Sequence, residues 1–137
     1  MRKNDEFELE ITGLSDEGLG IGKSDGFVWF VKGALPGDTA RCLAMKLKKN
    51  YGFARVKTLL QPSPERVTPR CAVEQRCGGC QLQALSYEAE LRLKANKVRG
   101  DLLRIGEVPA ERMDAVTEAI VGMEEPSRYR NKAQVPF

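Results

Sequence analysis

The chain has 137 residues, of which 42% are apolar and 30% are charged, a composition typical of a globular protein and not of a disordered one. It contains no run of about 18 apolar residues, and its first residues lack the apolar stretch of a signal peptide, so we expect a cytoplasmic protein without a membrane partner. The net charge of +3 is too small to indicate a nucleic-acid partner by itself.

Residues 7–61 predict a small antiparallel β-barrel. The stretch FELEI alternates apolar and acidic residues, which is the period of a strand with one buried face. Tight turns are expected at Asp25-Gly26 and Pro36-Gly37. About five short strands at this spacing favour a barrel, because closing the sheet removes its exposed edges. We expect three side chains in its core: Trp29, Cys42 and Phe53.

The rest of the chain predicts a linker followed by helices. Three prolines in PSPERVTPR break the strand pattern. Ser86 is a candidate N-cap for a helix that continues to Ile105, with Gly106 as its C-terminal cap. A shorter helix is expected over residues 110–120, and SRYRNKAQVPF predicts a strand. The predicted division is a barrel at 1–61, a linker with a cysteine loop at 62–84, and the start of an α+β domain at 85–137.

The cysteine loop carries three of the chain's four cysteines, at Cys71, Cys77 and Cys80. Thiolates are soft ligands, and two cysteines three residues apart can both face one metal centre. Gly78 and Gly79, which lie between the last two, let the backbone wrap closely around such a centre. The spacing therefore favours a metal site, and both an iron–sulfur cluster and zinc are chemically reasonable.

Other interpretations of the cysteines stay open at this point. Reduced structural thiols are one, and a Cys-x-x-Cys redox pair is another, although such a pair is typical of a helix N-terminus in a βαβ setting. Either metal interpretation lacks a fourth ligand, because the chain has no histidine and Cys42 lies in the middle of a predicted strand.

Basic residues are concentrated in one part of the predicted barrel and in one part of the last segment. The first group flanks Tyr51 and comprises Lys46, Lys48, Lys49, Arg55 and Lys57. The second group alternates along the predicted final strand and comprises Arg128, Arg130 and Lys132. Basic residues neutralise phosphates and aromatic rings stack on unpaired bases, so these residues are candidate RNA contacts. A solvated hairpin and a solvated strand are the alternatives.

Two groups of motifs in the chain resemble a known family. GLGIG, VKGALPGDTARC, KLKKNYGFARV and PERVTPRC, in this order, resemble a TRAM domain, a small OB-like RNA-binding β-barrel. CGGCQLQALSYEAELRLKANKV, LLRIG and YRNKAQVPF are similar to the RNA (uracil-5-)-methyltransferases, specifically the subgroup that carries a 4Fe–4S cluster.

The resemblance implies an activity whose machinery this chain does not contain. Family members bind S-adenosylmethionine in a C-terminal Rossmann-like domain and methylate C5 of uridine, and the cluster subgroup favours 23S ribosomal RNA as substrate. Cys71, Cys77 and Cys80 match the three N-terminal cluster ligands, whereas the fourth lies beyond residue 137 in the family. We therefore expect the chain alone to be inactive. The alternatives are a stand-alone TRAM-type RNA-binding module with a metal-stabilised extension, and an electron-transfer centre.

Overall fold

The computed structural model describes residues 1–134 and divides the chain into two compact units, Met1–Ser86 and Tyr87–Phe137. The first unit carries the sheet and a single helical turn, and the second carries helices. The strands are β1 (Glu6–Glu10), β2 (Gly13–Leu14), β3 (Gly20–Ser24), β4 (Phe27–Lys32), β5 (Thr39–Leu47) and β6 (Tyr51–Gln61). The helices are α1 (Glu74–Cys77), α2 (Tyr87–Arg104) and α3 (Ala110–Val116).

The six strands form one mixed sheet in the order β1-β5-β6-β4-β3-β2. The prediction of a β-rich first unit is confirmed, but the prediction of a closed antiparallel barrel is wrong in two respects. Strands β4 and β6 pair in parallel, because β6 returns from its hairpin with β5 and inserts between β5 and β4. The sheet is also open, with β1 and β2 as its edges, although only residues 11–12 separate these two strands along the chain.

One face of the sheet packs around Trp29. This side chain is 1% exposed, and its ring lies 4.3 Å from the ring of Phe7 and 4.9 Å from that of Phe27, measured between centroids. Cys42 is fully buried in the same core, and this burial raises the pKa of its thiol to about 11. The predictions for Trp29 and Cys42 are confirmed. The prediction for Phe53 is wrong, because this half-buried side chain lies outside the core cluster.

Trp29 has a glycine partner on each neighbouring strand, and the one on β6 makes room for its ring. Its partner on β3 is Gly22 and its partner on β6 is Gly52. A Cβ atom at Gly52 would lie 2.6 Å from Cζ3 of the indole ring, closer than packed carbon atoms can approach. The large ring therefore lies across the sheet only because the residue beside it on β6 has no side chain.

A buried ion pair joins the sheet to the linker. Asp38 is fully buried, and its carboxylate accepts hydrogen bonds from Nε and Nη2 of Arg66, at 2.9 and 2.8 Å. It also accepts the backbone N–H groups of Leu35 and Ser63, at 2.7 and 2.8 Å. Nη2 of Arg66 donates a further bond to the carbonyl of Gly33. Charge-assisted bonds of this kind are stronger than neutral ones, so the pair fixes the linker against the sheet.

The fixed linker also closes the base of the cysteine loop. The N–H of Val67 donates to the carbonyl of Ala84, and the N–H of Ser86 donates to the carbonyl of Glu65, both at 2.8 Å. Leu85, which is buried, forms the bridge opposite Arg66. Residues 68–83 therefore form a loop whose two ends are joined by a short antiparallel ladder. This loop lies within residues 62–84, which the sequence predicts as a linker with a cysteine loop.

In the second unit, the predicted long helix is confirmed as α2. The left-handed residue after it is Glu107, with φ of 53°, and not the predicted cap Gly106. The second predicted helix is present but ends at Val116, because Thr117 is extended. No helix in the described part of the chain is both long and apolar enough to cross a membrane.

The predicted final strand is wrong over residues 127–134, which contain no strand; residues 135–137 lie outside the described residues. Arg128 has φ of 55°, which interrupts the extended backbone that a strand requires. The expected alternation of Arg128, Arg130 and Lys132 on one strand face is lost with it.

We expect Gly52→Ala to lower the free energy of unfolding by about 1 to 3 kcal/mol, because the new methyl group would overpack the core against Trp29. Urea denaturation measures this change. The matched control is Gly13→Ala, where the nearest atom to a new Cβ is 3.7 Å away. An equal loss of stability in both variants would contradict the packing described for Trp29.

We expect Asp38→Asn to destabilise the protein by about 3 to 5 kcal/mol at pH 7, because it leaves the largely buried Arg66 without its counter-charge. Burial by itself raises the pKa of Asp38, but the hydrogen bonds from Arg66, Leu35 and Ser63 and the charge of Arg66 hold this pKa below its ordinary value. The stabilisation is therefore present above the unfolded pKa of about 3.9 and is lost as pH falls through the folded pKa.

Urea titrations of Asp38→Asn between pH 7 and pH 3 test this pH dependence. The variant should lose less stability over that range than the parent chain. Asp25→Asn, in an exposed turn, serves as the control and should follow the parent. Identical pH profiles for the parent and Asp38→Asn would contradict the role of the buried carboxylate.

Candidate nucleic-acid interface

The alternation of side chains along β6 determines which of its residues lie on the outer face of the sheet. Gly52 and Ala54 point into the core, where each is buried. Tyr51, Phe53 and Arg55 therefore point to the opposite face, since successive side chains of a strand alternate. The core leaves no room for these larger groups, because Trp29 already occupies the inner face beside Gly52.

Three aromatic rings meet on this outer face. Phe30 on β4 is the parallel partner of Phe53, and their ring centroids lie 5.7 Å apart. Tyr51 meets Phe30 edge-on at 5.9 Å and Phe53 edge-on at 5.8 Å. These distances are typical of favourable aromatic contacts. The sequence prediction included Tyr51 but missed Phe30, which only the pairing of β4 with β6 brings to the cluster.

The three rings form one side of an open concavity of about 580 Å³. We call it the aromatic pocket and define it by Leu19, Val28, Phe30, Tyr51 and Phe53. Polar residues also line it, among them Asp16, Glu17 and Asn50. These three are exposed, whereas Phe30 and Phe53 are half-buried. The pocket thus combines an apolar surface with acceptors and an amide at its rim.

Basic residues flank the aromatic pocket along the sheet. Arg55 follows Phe53 on the outer face of β6, and its parallel partner on β4 is the exposed Lys32, which sequence reasoning missed. Lys46 is the partner of Phe53 on β5. The structure therefore places cations beside the aromatic rings on β4 and β6 and on the adjacent strand β5.

The remaining predicted basic residues differ in their surroundings. Lys48 and Lys49 are exposed in the turn between β5 and β6. Lys57 forms an ion pair with Glu6, so part of its charge is already matched. In the second unit, the guanidinium of Arg130 lies 5.8 Å from the centre of the Tyr129 ring.

The cysteines do not form a ligand set in the part of the chain that the structure describes, where no three potential ligands are grouped. Cys71 is half-buried and its N–H donates to Oε1 of Gln83 at 3.2 Å, whereas Cys77 and Cys80 are exposed. Their thiols suit the chemistry of an iron–sulfur cluster, but the arrangement of the loop does not gather them.

The cysteine loop contacts the turn that borders the aromatic pocket. Gly18, whose φ is 80°, packs against Gln81, the residue after Cys80. A Cβ atom at Gly18 would lie 2.5 Å from Cβ of Gln81. Since Asp16, Glu17 and Leu19 line the pocket, the cysteine loop supports one of its walls.

A match to one protein family agrees with the expected resemblance to a TRAM domain. The family model described as the TRAM domain matches residues 2–57, which include β1 to β5 and most of β6. The solution structure of a conserved protein of Methanococcus maripaludis is 29% identical, with a TM-score of 0.40, over 42% of this chain and 83% of that one.

Relatives match the chain over its whole length. A protein of Halalkalibacterium halodurans is 46% identical and one of Listeria innocua is 47% identical, each over 99% of this chain. A protein of Clostridium tetani is 42% identical over 100% of it. Each is named an uncharacterized RNA methyltransferase. The chain spans 29% of the length of each of these relatives.

Proposed function

We propose that this chain, which contains a TRAM domain at residues 2–57, is the RNA-binding portion of an RNA methyltransferase. The observation that carries the proposal is the outer face of the sheet, where three aromatic rings lie among cations on β4, β5 and β6. Proteins bind single-stranded RNA through aromatic rings that stack on its bases and through cations that contact its phosphates. The names of the relatives support the choice of enzyme class.

Charge and exposure support the same face as the RNA contact. Tyr51 is 39% exposed, so part of its side chain is accessible to a base. Arg55 and Lys32 are neighbours in the register of β4 and β6, which concentrates positive charge beside the rings. We propose that Lys46, Lys48, Lys49 and Arg55 contact phosphates, whereas the ion pair with Glu6 reduces the contribution of Lys57.

The proposal extends to the specific reaction that the complete enzyme catalyses. We propose that the complete enzyme transfers a methyl group from S-adenosylmethionine to C5 of a uridine, in 23S ribosomal RNA, in the cytoplasm. The motif resemblance from Cys77 to Val98 and at residues 129–137 supports this choice. In this interpretation the TRAM domain, with its open mixed sheet, holds the RNA, and the 137-residue chain alone is inactive.

We further propose that Cys71, Cys77 and Cys80 supply three ligands of a 4Fe–4S cluster. A bound cluster would require the loop to rearrange so that its three thiols face one centre. The short ladder of residues 65–67 with residues 84–86 would hold the two ends of the loop during that change. The cluster would then have a structural role beside the wall of the aromatic pocket that contacts Gln81.

A second candidate function is a stand-alone RNA-binding module with a metal-stabilised extension. The specific observation in its favour is that the sheet and the base of the cysteine loop belong to one compact unit, Met1–Ser86. This candidate shares the RNA-binding face and differs only in lacking a catalytic partner.

We expect Tyr51→Leu and Phe30→Leu each to weaken binding of a single-stranded RNA oligonucleotide by about 1 to 3 kcal/mol, because each removes a stacking surface. Fluorescence anisotropy with a labelled oligonucleotide measures the change. Ile105→Ala, which removes part of an exposed apolar side chain in the second unit, is the control. Equal affinities for the control and both pocket variants would argue against the outer face as the RNA contact.

We expect Arg55→Gln to weaken binding of all sequences similarly and to reduce the slope of log Kd against log salt by about 1, because one phosphate contact is lost. Anisotropy titrations between about 50 and 200 mM salt measure this slope. Arg92→Gln on α2 provides a variant with the same charge change elsewhere in the chain. A slope unchanged by Arg55→Gln would remove that residue from the interface.

We expect the chain to contain iron and sulfide after anaerobic reconstitution with iron, sulfide and an excess of a small thiol that replaces the missing fourth ligand, with a visible absorption that Cys80→Ala abolishes. Elemental analysis for iron, sulfide and zinc on one sample measures this, and Cys42→Ala is the control because its thiol is buried in the core. Stoichiometric zinc, or folded chain without metal, would contradict the proposed cluster while leaving RNA binding to be judged separately.

A further inference from the structure

The rim of the aromatic pocket carries negative charge on two neighbouring residues. Asp16 and Glu17 line the pocket from the turn between β2 and β3. This turn is held by its own hydrogen bonds, since Ser15 donates its N–H to the carbonyl of Leu19 at 2.8 Å and accepts the N–H of Leu19 on its Oγ at 3.1 Å. The carboxylates are therefore carried by an ordered segment beside the aromatic rings.

Carboxylates at this position make the pocket unsuitable for a phosphate group. A phosphate would be repelled by Asp16 and Glu17, whereas Lys32, Arg55 and Lys46 lie on the strands that flank the rings. An RNA strand bound along those cations would direct its bases, and not its backbone, toward the pocket. An open concavity of about 580 Å³ has room for one such base.

Resting on the proposed RNA-binding function, we infer that the aromatic pocket binds one unpaired guanine base, stacked on its rings and read by the carboxylate rim. Guanine presents two neighbouring donors on its pairing edge, N1–H and the N2 amino group. The two oxygens of a carboxylate accept such a pair together, as they accept two parallel N–H groups of arginine. Glu17 is the residue to which we assign this contact.

The other bases fit this rim less well. Cytosine and adenine each offer an amino group, but the ring nitrogen beside it is an acceptor that a carboxylate repels. Uracil offers one N–H between two carbonyl acceptors. Asn50, at the rim of the same pocket, has an amide that can donate to O6 of guanine. The combination of acceptors with an amide donor therefore matches the guanine edge best.

The test compares four single-stranded RNA octamers of uridine that differ only in one central position, which is G, A, C or U. Anisotropy with the 137-residue chain gives the four dissociation constants. We expect about tenfold tighter binding of the G octamer than of the U octamer, within the range for a bidentate base contact. Glu17→Gln should abolish the preference, and Glu10→Gln, an exposed glutamate on β1, should retain it.

A second variant separates stacking from edge recognition. Phe30→Leu should weaken the A and G octamers together, because purines offer the larger stacking surface, while the ratio of U to G dissociation constants stays above one. Equal affinity for all four octamers, or a G preference that persists in Glu17→Gln, would overturn the guanine assignment while the RNA-binding function stands. Absence of binding to every octamer would instead overturn the proposed function itself.

Discussion

The buried carboxylate of Asp38 is the contact on which the arrangement of the sheet unit depends. It accepts hydrogen bonds from Leu35 within the β4–β5 connection, from Ser63 just beyond β6, and from Arg66 at the base of the cysteine loop. A buried charge is costly unless it is fully paired, so these three segments are obliged to meet at one point. Gln81 of that loop packs against the turn beside the aromatic pocket, so the loop connects the ion pair to the candidate interface.

The size of the residues on β6 determines which side chains lie on the inner face of the sheet and which lie on the outer face. Gly52 and Ala54 are small, which lets Trp29 fill the inner face. The aromatic side chains between and beside them must then lie outside, where they pack with Phe30 and remain partly open to solvent. Exposed apolar patches rimmed by polar residues tend to mark binding sites, and RNA is the ligand that we propose for these clustered rings and their neighbouring cations.

Much of the local structure could be predicted from the sequence, because local periods encode it. The burial of Trp29 and Cys42 and the extent of α2 follow from periods of two and of three to four residues. Features that depend on distant pairing could not be predicted. Phe30 joins the aromatic cluster only through the parallel pairing of β4 with β6, and Asp38 is buried only because Arg66, 28 residues later, neutralises it.

For Phe53 a signal was available, since the small residues on either side of it indicate which face of β6 is the inner one. The apparent strand at residues 127–134 failed because alternation describes side chains, whereas a strand also needs extended backbone, which Arg128 interrupts.

The most direct test of the central claim, that RNA binds the outer face of the sheet, is an NMR titration of isotope-labelled chain with single-stranded RNA. The account predicts that amide shifts concentrate on β4, on β6 from Tyr51 to Arg55, and on the turn at Lys48 and Lys49. Shifts confined to the cysteine loop or to residues after Tyr87, with the outer face unchanged at saturating RNA, would contradict it.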